Sequence, residues 1–444
     1  MSIGMFQADN LRRIVAICAV SIVSGCGAFN DEPTRIPGER ISIALFDNKI
    51  VPDPRIADLQ VRLPRPVRNV DWAQPGGNPA HAMSHLELGA AVREIWRADV
   101  GVGSSDTQRL LAQPVIAGDR VFAMDSKSKV TAFKRATGEL LWAIDSKVPD
   151  DDDEAFGGGI SYANGRLFVT TGFAQIFAVD AETGKELWRK SVSGPMRAPP
   201  AVKADRVFAI TIDNQVFAFS AKTGENLWSH AGFSEVAGLL GGASPAVSGG
   251  AVIVPYSSGE VFALSVENGR VIWSDNLTSS RRLDALSSLA DIRGMPVVDR
   301  GLVYAISHSG RMAAIDLRTG GRAWDRNLAG VEMPWVAGEY IYVITTANEL
   351  LCMTRRGGRI RWISSLPRYE DPEHKKKPIK WSGPVLASDR LVLVGSHGEA
   401  WSMSPYTGKP LGRVELGSNI LIAPVVADGT LYFLTESGDL IAMR

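Results

Sequence analysis

Among 444 residues, the side chains able to hold a metal, attack a carbonyl or carry a lipid are few and scattered. The cysteines are Cys18, Cys26 and Cys352, with no adjacent pair and no metal-knuckle or redox spacing. His81 and His85, in HAMSH, stand four apart, a spacing that puts two imidazoles on one helical face. No third ligand lies near them, and no metal is expected. Asp150–Asp153 and Glu154 form an acidic run, PDDDDEAFGGG. A calcium loop alternates its acids around a glycine, so this run reads as a solvated loop. His374–Lys377, HKKK, reads likewise as an exposed insertion, with a lipid or partner contact as the alternative. What remains is Cys26, at the end of a short apolar run, where the chemistry is attachment and not turnover.

Arg12 and Arg13 precede the apolar run from Ile14 to Val23. That run is too short to span a bilayer, which takes about 20 residues, and it suits the core of a secretory signal. Val23-Ser24-Gly25-Cys26 resembles the bacterial lipobox, whose cysteine is acylated and becomes the mature N-terminus. Residues 1–25 are therefore expected to be a signal peptide and Cys26 the lipidation site. By the same resemblance Gly27, where an aspartate would favour the inner membrane, implies the periplasmic face of the outer membrane. Acyl chains contribute about 0.8 kcal/mol per buried CH₂, so several of them hold a soluble periplasmic body in place.

The rest of the chain must supply that body. Lys+Arg and Asp+Glu are both 48, so no overall field draws it to nucleic acid, and no nucleic-acid motif occurs. Residues 26–88 are rich in proline and poor in periodicity; they read as a lipidated tether with a short strand at Ile41–Phe46 and a turn at PGGNP. From Gln113 on, the sequence repeats. Strands such as RVFAM, RLFVT and YIYVI alternate with tight turns, and each unit ends in a phrase like AVDAETGKELW. The glycine of that phrase falls at Gly138, Gly184, Gly224, Gly269, Gly320, Gly358 and Gly408, a spacing of about 45 residues, which suits four-stranded propeller blades.

Inside the phrase a small residue, a glycine six later and a tryptophan four beyond recur. The sets are Ala132/Gly138/Trp142, Ala178/Gly184/Trp188, Ala218/Gly224/Trp228, Ala263/Gly269/Trp273, Ala314/Gly320/Trp324 and Cys352/Gly358/Trp362. A seventh set, Ser402/Gly408/Gly412, lacks its tryptophan. Glycine supplies the positive φ of a tight hairpin, and the tryptophan is expected to dock blade on blade, with the small residue leaving room for a neighbour's plate. Cys352 occupies the small-residue slot and reads as a packed hydrophobe, not a nucleophile. The last strands stop at Ala442 without turn or tryptophan, while REIWRADVG, with Trp96, precedes the first unit. An all-β, eight-bladed propeller over 89–444 follows, closed by that N-terminal strand completing the last blade.

The spacing A-x-D-x-x-T-G-x-x-x-W, met in full by Ala178, Asp180, Thr183, Gly184 and Trp188, is similar to the tryptophan-docking repeat of pyrroloquinoline-quinone (PQQ)-type propellers. Within these, the chain resembles the BamB family of outer-membrane lipoproteins. The resemblance lies in the lipobox at Cys26, one propeller filling the mature chain, and RRLDALSSLADIRGMPVV, which is similar to that family's leucine-rich loop. The preface WAQPGGNPAHAMSH looks like that of alphaproteobacterial members.

The resemblance implies a non-catalytic scaffold without cofactor. Its partners would be the periplasmic POTRA domains of BamA, other components of the barrel-assembly (BAM) complex, and unfolded outer-membrane proteins. It further implies partner contacts at Met196 and Arg197 in SGPMRAPP and at Asp291, with Arg293 standing where the family has a second acid. Two other readings share the fold: a PQQ-dependent dehydrogenase, for which this chain lacks the vicinal cysteines of many alcohol-oxidising members, and a propeller binding sugar or peptidoglycan in its funnel.

Overall fold

The structure is a computed structural model that describes residues 50–146, 157–235, 238–278 and 290–444. Cys26, the strand expected at Ile41–Phe46, the acidic run and the first half of the leucine-rich loop lie outside these residues. From Val51 to Arg444 the described residues form eight four-stranded antiparallel blades and one two-stranded hairpin, with a single short 3₁₀ turn at Pro54–Ile56. Blades 1 to 7 follow in chain order over 115–144, 158–191, 201–231, 246–276, 297–326, 335–365 and 381–415, and blade 2 shows the plan: Gly158–Ala163 innermost, then Arg166–Thr171, Gln175–Asp180 and the outermost Glu186–Ser191. Its middle strands are almost wholly buried because both of their faces meet neighbouring blades. The outermost strand alternates and buries Trp188.

Blade 8 takes three strands from the C-terminus, Val425–Ala427, Thr430–Leu434 and Asp439–Met443, and its outermost strand, Glu94–Asp99, from the other end of the propeller sequence. Trp96 faces Ala442, and Arg93 and Arg444 exchange backbone hydrogen bonds at 2.9 Å where the turn of any other blade would be.

The repeated phrase has two separate physical jobs. Across six of the eight blades, an aromatic of the second strand, the small residue and the tryptophan form one row, as in Phe122–Ala132–Trp142 and Tyr342–Cys352–Trp362; blade 4 has Ile253 in the aromatic's place, and blade 7 has Val392 and lacks the tryptophan. The small residue lets the two rings of its own blade approach, at centroid distances of 5.9 and 6.0 Å. The plate of the neighbouring blade docks elsewhere, on the turn glycine; this corrects the expectation that the small residue makes room for it. A Cβ at Gly138 would lie 2.7 Å from Trp96, and one at Gly224 would lie 2.6 Å from Trp188. Each docked indole also donates its N–H to a turn carbonyl of the next blade, for example Trp96 to Arg135, Trp188 to Ala221 and Trp273 to Leu317 at 2.8–3.1 Å. Inside the turn, Asp180 accepts from the Thr183 hydroxyl and backbone N–H, which holds its carboxyl below the usual range.

The same geometry explains Gly412. A tryptophan there would dock on the third turn of blade 8, and that turn is the junction of Arg444 with Arg93. With no turn glycine to receive it, no plate is needed. The Arg390 guanidinium of blade 7 instead bonds the carbonyls of Gly89 and Ala90, just ahead of the clasp strand.

The later part of the stretch read as a tether is held against the blades. Residues 69–88 run along the innermost strands as a strap that meets all eight blades in turn. Asn69 bonds Asp428 of blade 8, Trp72 exchanges two bonds with Ile116 of blade 1, and Ala73 accepts from Tyr162 of blade 2. Gln74 clamps the Val202 backbone of blade 3 with both ends of its amide. Pro79, Ala80 and Ser84 then accept from Val247, Val298 and the Trp335 indole in blades 4, 5 and 6. Leu86 pairs with Leu386 and Ser388 of blade 7, and Leu88 returns to Gly429 of blade 8. The prolines suit this course because they keep the strap extended and leave carbonyls for the blades. His81 and His85 serve the strap: their Nδ1 atoms lie 2.7 Å from the carbonyls of Pro296 and Pro64.

Two outcomes test this account. Gly224→Ala forces a Cβ into Trp188 at a backbone φ of +70°, and it should destabilise the ring by roughly 1–3 kcal/mol in urea melts. Gly412→Ala, with open space around it, should stay within about 0.5 kcal/mol of the parent. Burial holds the His81 imidazole down at about 4, against 6.5 ordinarily. Between those values the unfolded chain takes up a proton that the folded chain refuses, so stability is full above pH 6.5 and falls by about 3 kcal/mol on acidification to pH 4. His81→Gln should flatten that part of the pH profile of the urea midpoint.

Candidate functional site

The loops that pass from one blade's outermost strand to the next blade's innermost strand gather at the end of the channel opposite the strap. Two of them carry the residues singled out by sequence. In the loop after blade 2, the Met196 N–H bonds the Thr171 carbonyl at 3.1 Å and its side chain is fully buried with Phe168, Val202 and Val207. Met196 is thus a packing residue, a correction to its reading as a partner contact; an apolar side chain beside two blade cores gains more from burial than from display. Arg197, next to it, is half-buried, and its side chain lies over Gly157, where a Cβ would sit 3.1 Å from it.

Asp291, in the loop before blade 5, is also buried; its carboxylate accepts the Leu239 N–H at 2.7 Å and so ties this loop to the one before blade 4. Burial pushes the carboxyl up, opposed by that hydrogen bond and by Arg293. Arg293 approaches Gly241 on one side and the Glu332 carboxylate, at 3.6 Å, on the other. Glu332 in turn accepts from the Gly383 N–H and the Ser382 hydroxyl at 3.3 and 3.4 Å, and burial raises its carboxyl as well. Arg197, Leu239–Gly242, Asp291, Arg293 and Glu332 therefore form one continuous polar band along the channel rim.

Below the band lies a cavity of about 650 Å³ inside the ring. Its far end is made by the strap: Trp72 is fully buried there, stacked on Trp335 with centroids 6.4 Å apart and 17° between planes. On the opposite rim Arg109 faces Glu436 at 3.7 Å. Sequence reasoning missed Arg109, Glu332, Glu436 and Trp72. The one available signal was Trp72, a tryptophan in a proline-rich stretch that fits no repeat slot.

The remaining candidates serve the architecture. Trp96, Trp142, Trp188, Trp228, Trp273, Trp324 and Trp362 all donate to turn carbonyls of the following blade. Cys352 is buried, and burial pushes its thiol up, away from nucleophilic use. The HKKK stretch is exposed at the end of a short hairpin, Tyr369–Asp371 with Lys376–Pro378, where Lys377 pairs with Glu370 at 3.1 Å. No group of three or more metal-ligating side chains occurs among the described residues.

Fold and rim together define a single-ring, tryptophan-docked β-propeller. A family model described as outer membrane protein assembly factor BamB matches residues 90–152 and 126–364, and the chain belongs to that family. It is 29% identical to the BamB of Salmonella typhimurium over 354 residues, covering 79% of this chain and 88% of that one. It is 28% identical to the BamB of Escherichia coli K12, covering 77% and 86%. Among solved structures it is similar to BamB from Moraxella catarrhalis, with TM-score 0.67 and 19% identity over 80% of this chain and all of that one. A europium-containing methanol dehydrogenase is similar at TM-score 0.66 and 15% identity, covering 84% and 98%, a likeness of fold alone.

The two neighbouring residues of the first loop should separate in a stability assay. Met196→Ala should cost about 2–5 kcal/mol as a buried large-to-small change. Arg197→Ala should cost no more than about 1 kcal/mol, as expected for a surface position.

Proposed function

We propose that this chain is a non-catalytic scaffold lipoprotein of the BAM complex, anchored at Cys26 to the periplasmic face of the outer membrane. In this reading it docks the POTRA domains of BamA and aids folding and insertion of outer-membrane proteins. Family membership supports the assembly role. The observation that carries the docking reading is the rim band, in which Asp291 ties the loop before blade 5 to the one before blade 4, the Arg293 side chain lies against Gly241 and the Arg197 backbone against Gly242. A partner meeting such a surface finds cations already held in position, so less side-chain ordering is needed on binding.

Arg293 stands where the family's second acid is expected, and Glu332 supplies a carboxylate beside it. The band therefore keeps both signs of charge with their places exchanged, and a complementary partner would carry the matching exchange. Met196 contributes by holding its loop from beneath. The lipid anchor adds effective concentration near the membrane.

The test is co-purification from membranes in mild detergent. Arg197→Ala combined with Arg293→Gln should lower recovery of BamA at least about tenfold, the loss typical of a hot-spot pair, with the urea midpoint near that of the parent. Unchanged recovery would remove these loops from the interface. A Cys26→Ala chain should be recovered in the soluble periplasmic fraction.

A further inference from the structure

Blade 6 departs from its neighbours at the end of the ring that the strap closes. The turn phrases of blades 1 to 5 each hold an aspartate or a glutamate, whereas that of blade 6, CMTRRGGRIRW, holds neither and carries Arg355, Arg356, Arg359 and Arg361. The chain also joins the ring here: the Asp53 N–H bonds the Ile360 carbonyl at 2.8 Å, and Arg361 donates to the Leu59 carbonyl at 2.6 Å. Residues 53–65 add Arg55, Arg62 and Arg65, and the first turn of blade 5 adds Arg300.

Four carboxylates answer these eight arginines. Glu339 is shared by Arg300, Arg355 and Arg356 at 3.0, 3.2 and 3.3 Å, and Asp299 lies 3.9 and 3.8 Å from the first two. Asp53 takes Arg55 at 2.7 Å and Arg359 at 3.8 Å. Asp58, Arg62 and Arg65 are exposed and make no ion pair among the described residues. The sector keeps a surplus of positive charge, and Arg356 is displayed with 80% of its side chain exposed. Apolar groups stand among these cations. Val51 and Leu59 are 60% and 43% exposed, and Leu59 lines a shallow hollow of about 350 Å³ with Ile56, Tyr340, Glu339, Arg356 and Arg359.

Exposed guanidinium groups match phosphate, and exposed apolar side chains beside them match the boundary between headgroups and acyl chains. We infer that this sector docks on the anionic headgroups of a phospholipid leaflet, with Val51 and Leu59 at that boundary. The choice of a lipid surface over an acidic polypeptide rests on the attachment proposed at Cys26. Val51 follows that cysteine by 25 residues, at most about 90 Å of chain, so this sector has the shortest covalent path to the membrane of any in the ring. Acyl chains alone hold the protein at the leaflet without fixing how it faces; a basic patch adds that orientation. The rim band, at the other end of the channel, then faces the periplasm.

Co-sedimentation with vesicles tests this, using the mature chain as Cys26→Ala so that no acyl group contributes. It should bind saturably to vesicles of equal parts phosphatidylcholine and phosphatidylglycerol, and at least about tenfold more weakly to phosphatidylcholine alone. Raising salt from about 0.1 M to about 1 M should release it, because the screening length falls from about 10 to about 3 Å. Arg62→Gln, Arg65→Gln, Arg356→Gln and Arg359→Gln together should weaken binding at least about tenfold, with the urea midpoint near that of the parent. Lys375→Gln, Lys376→Gln and Lys377→Gln, in the hairpin between blades 6 and 7, should leave it unmoved. Equal binding to both vesicles, no saturable binding, or a loss that follows the lysines and not the arginines would overturn the inference. Arg197→Ala with Arg293→Gln should leave vesicle binding unchanged, and the four-arginine variant should keep BamA recovery in detergent, so the two readings fail separately. Loss of BamA by that variant would make the sector a protein contact and overturn the lipid reading as well.

Discussion

The ring depends on one contact made again and again: a tryptophan laid on a neighbour's turn glycine, with its indole N–H given to a carbonyl of that turn. Each part needs the others. The glycine must be glycine both for its positive φ and because a Cβ would strike the ring: one added at Gly224 would lie only 2.6 Å from Trp188. The hydrogen bond fixes the angle at which the plate lies, so blade-to-blade rotation is set by a directional contact and not by hydrophobic area alone. In a repeat ring, small errors of angle would accumulate; a directional fastener at successive interfaces keeps them small enough for blade 8 to close on Glu94–Asp99.

Closure leaves an axial channel, and its two ends are treated differently. The strap fills one end with backbone pairing and the Trp72–Trp335 stack, while charged interblade loops surround the other. The asymmetry gives the protein a working face. Buried acids on that face, Asp291 and Glu332, are each held by backbone or side-chain donors, which makes the band stiff enough to present the arginines in fixed positions.

Much of this was legible in the sequence for a physical reason. The turn glycine and the docking tryptophan are demanded by local geometry, so they recur at fixed spacing and reveal blade number, strand order and even the closing strand. The absence of tryptophan at Gly412 is consistent with the same rule once the clasp replaces a turn. The strap was not legible, because it pairs largely through backbone groups, which leave no trace in residue identity, and its few side-chain clamps, such as Gln74 on Val202, recur at no fixed spacing. Met196 misled for a related reason: loop position suggests display, but a methionine beside two blade cores is drawn inward. The ion pair of Arg293 with Glu332 joins separate loops, and no local pattern announces such a partner.

The strap also bears on the order of events during synthesis. Residues 69–88 emerge before a single blade has been made, yet their partners are spread over all eight. Stacked repeats ordinarily consolidate neighbour by neighbour as the chain lengthens. Here a segment made before any blade is the last to find its full set of bonds: Trp72 waits for Trp335 of blade 6, Leu86 for Leu386 of blade 7 and Leu88 for Gly429 of blade 8. The newborn protein therefore passes through an interval in which its N-terminal part is sticky and its ring incomplete, and only the final strands end it.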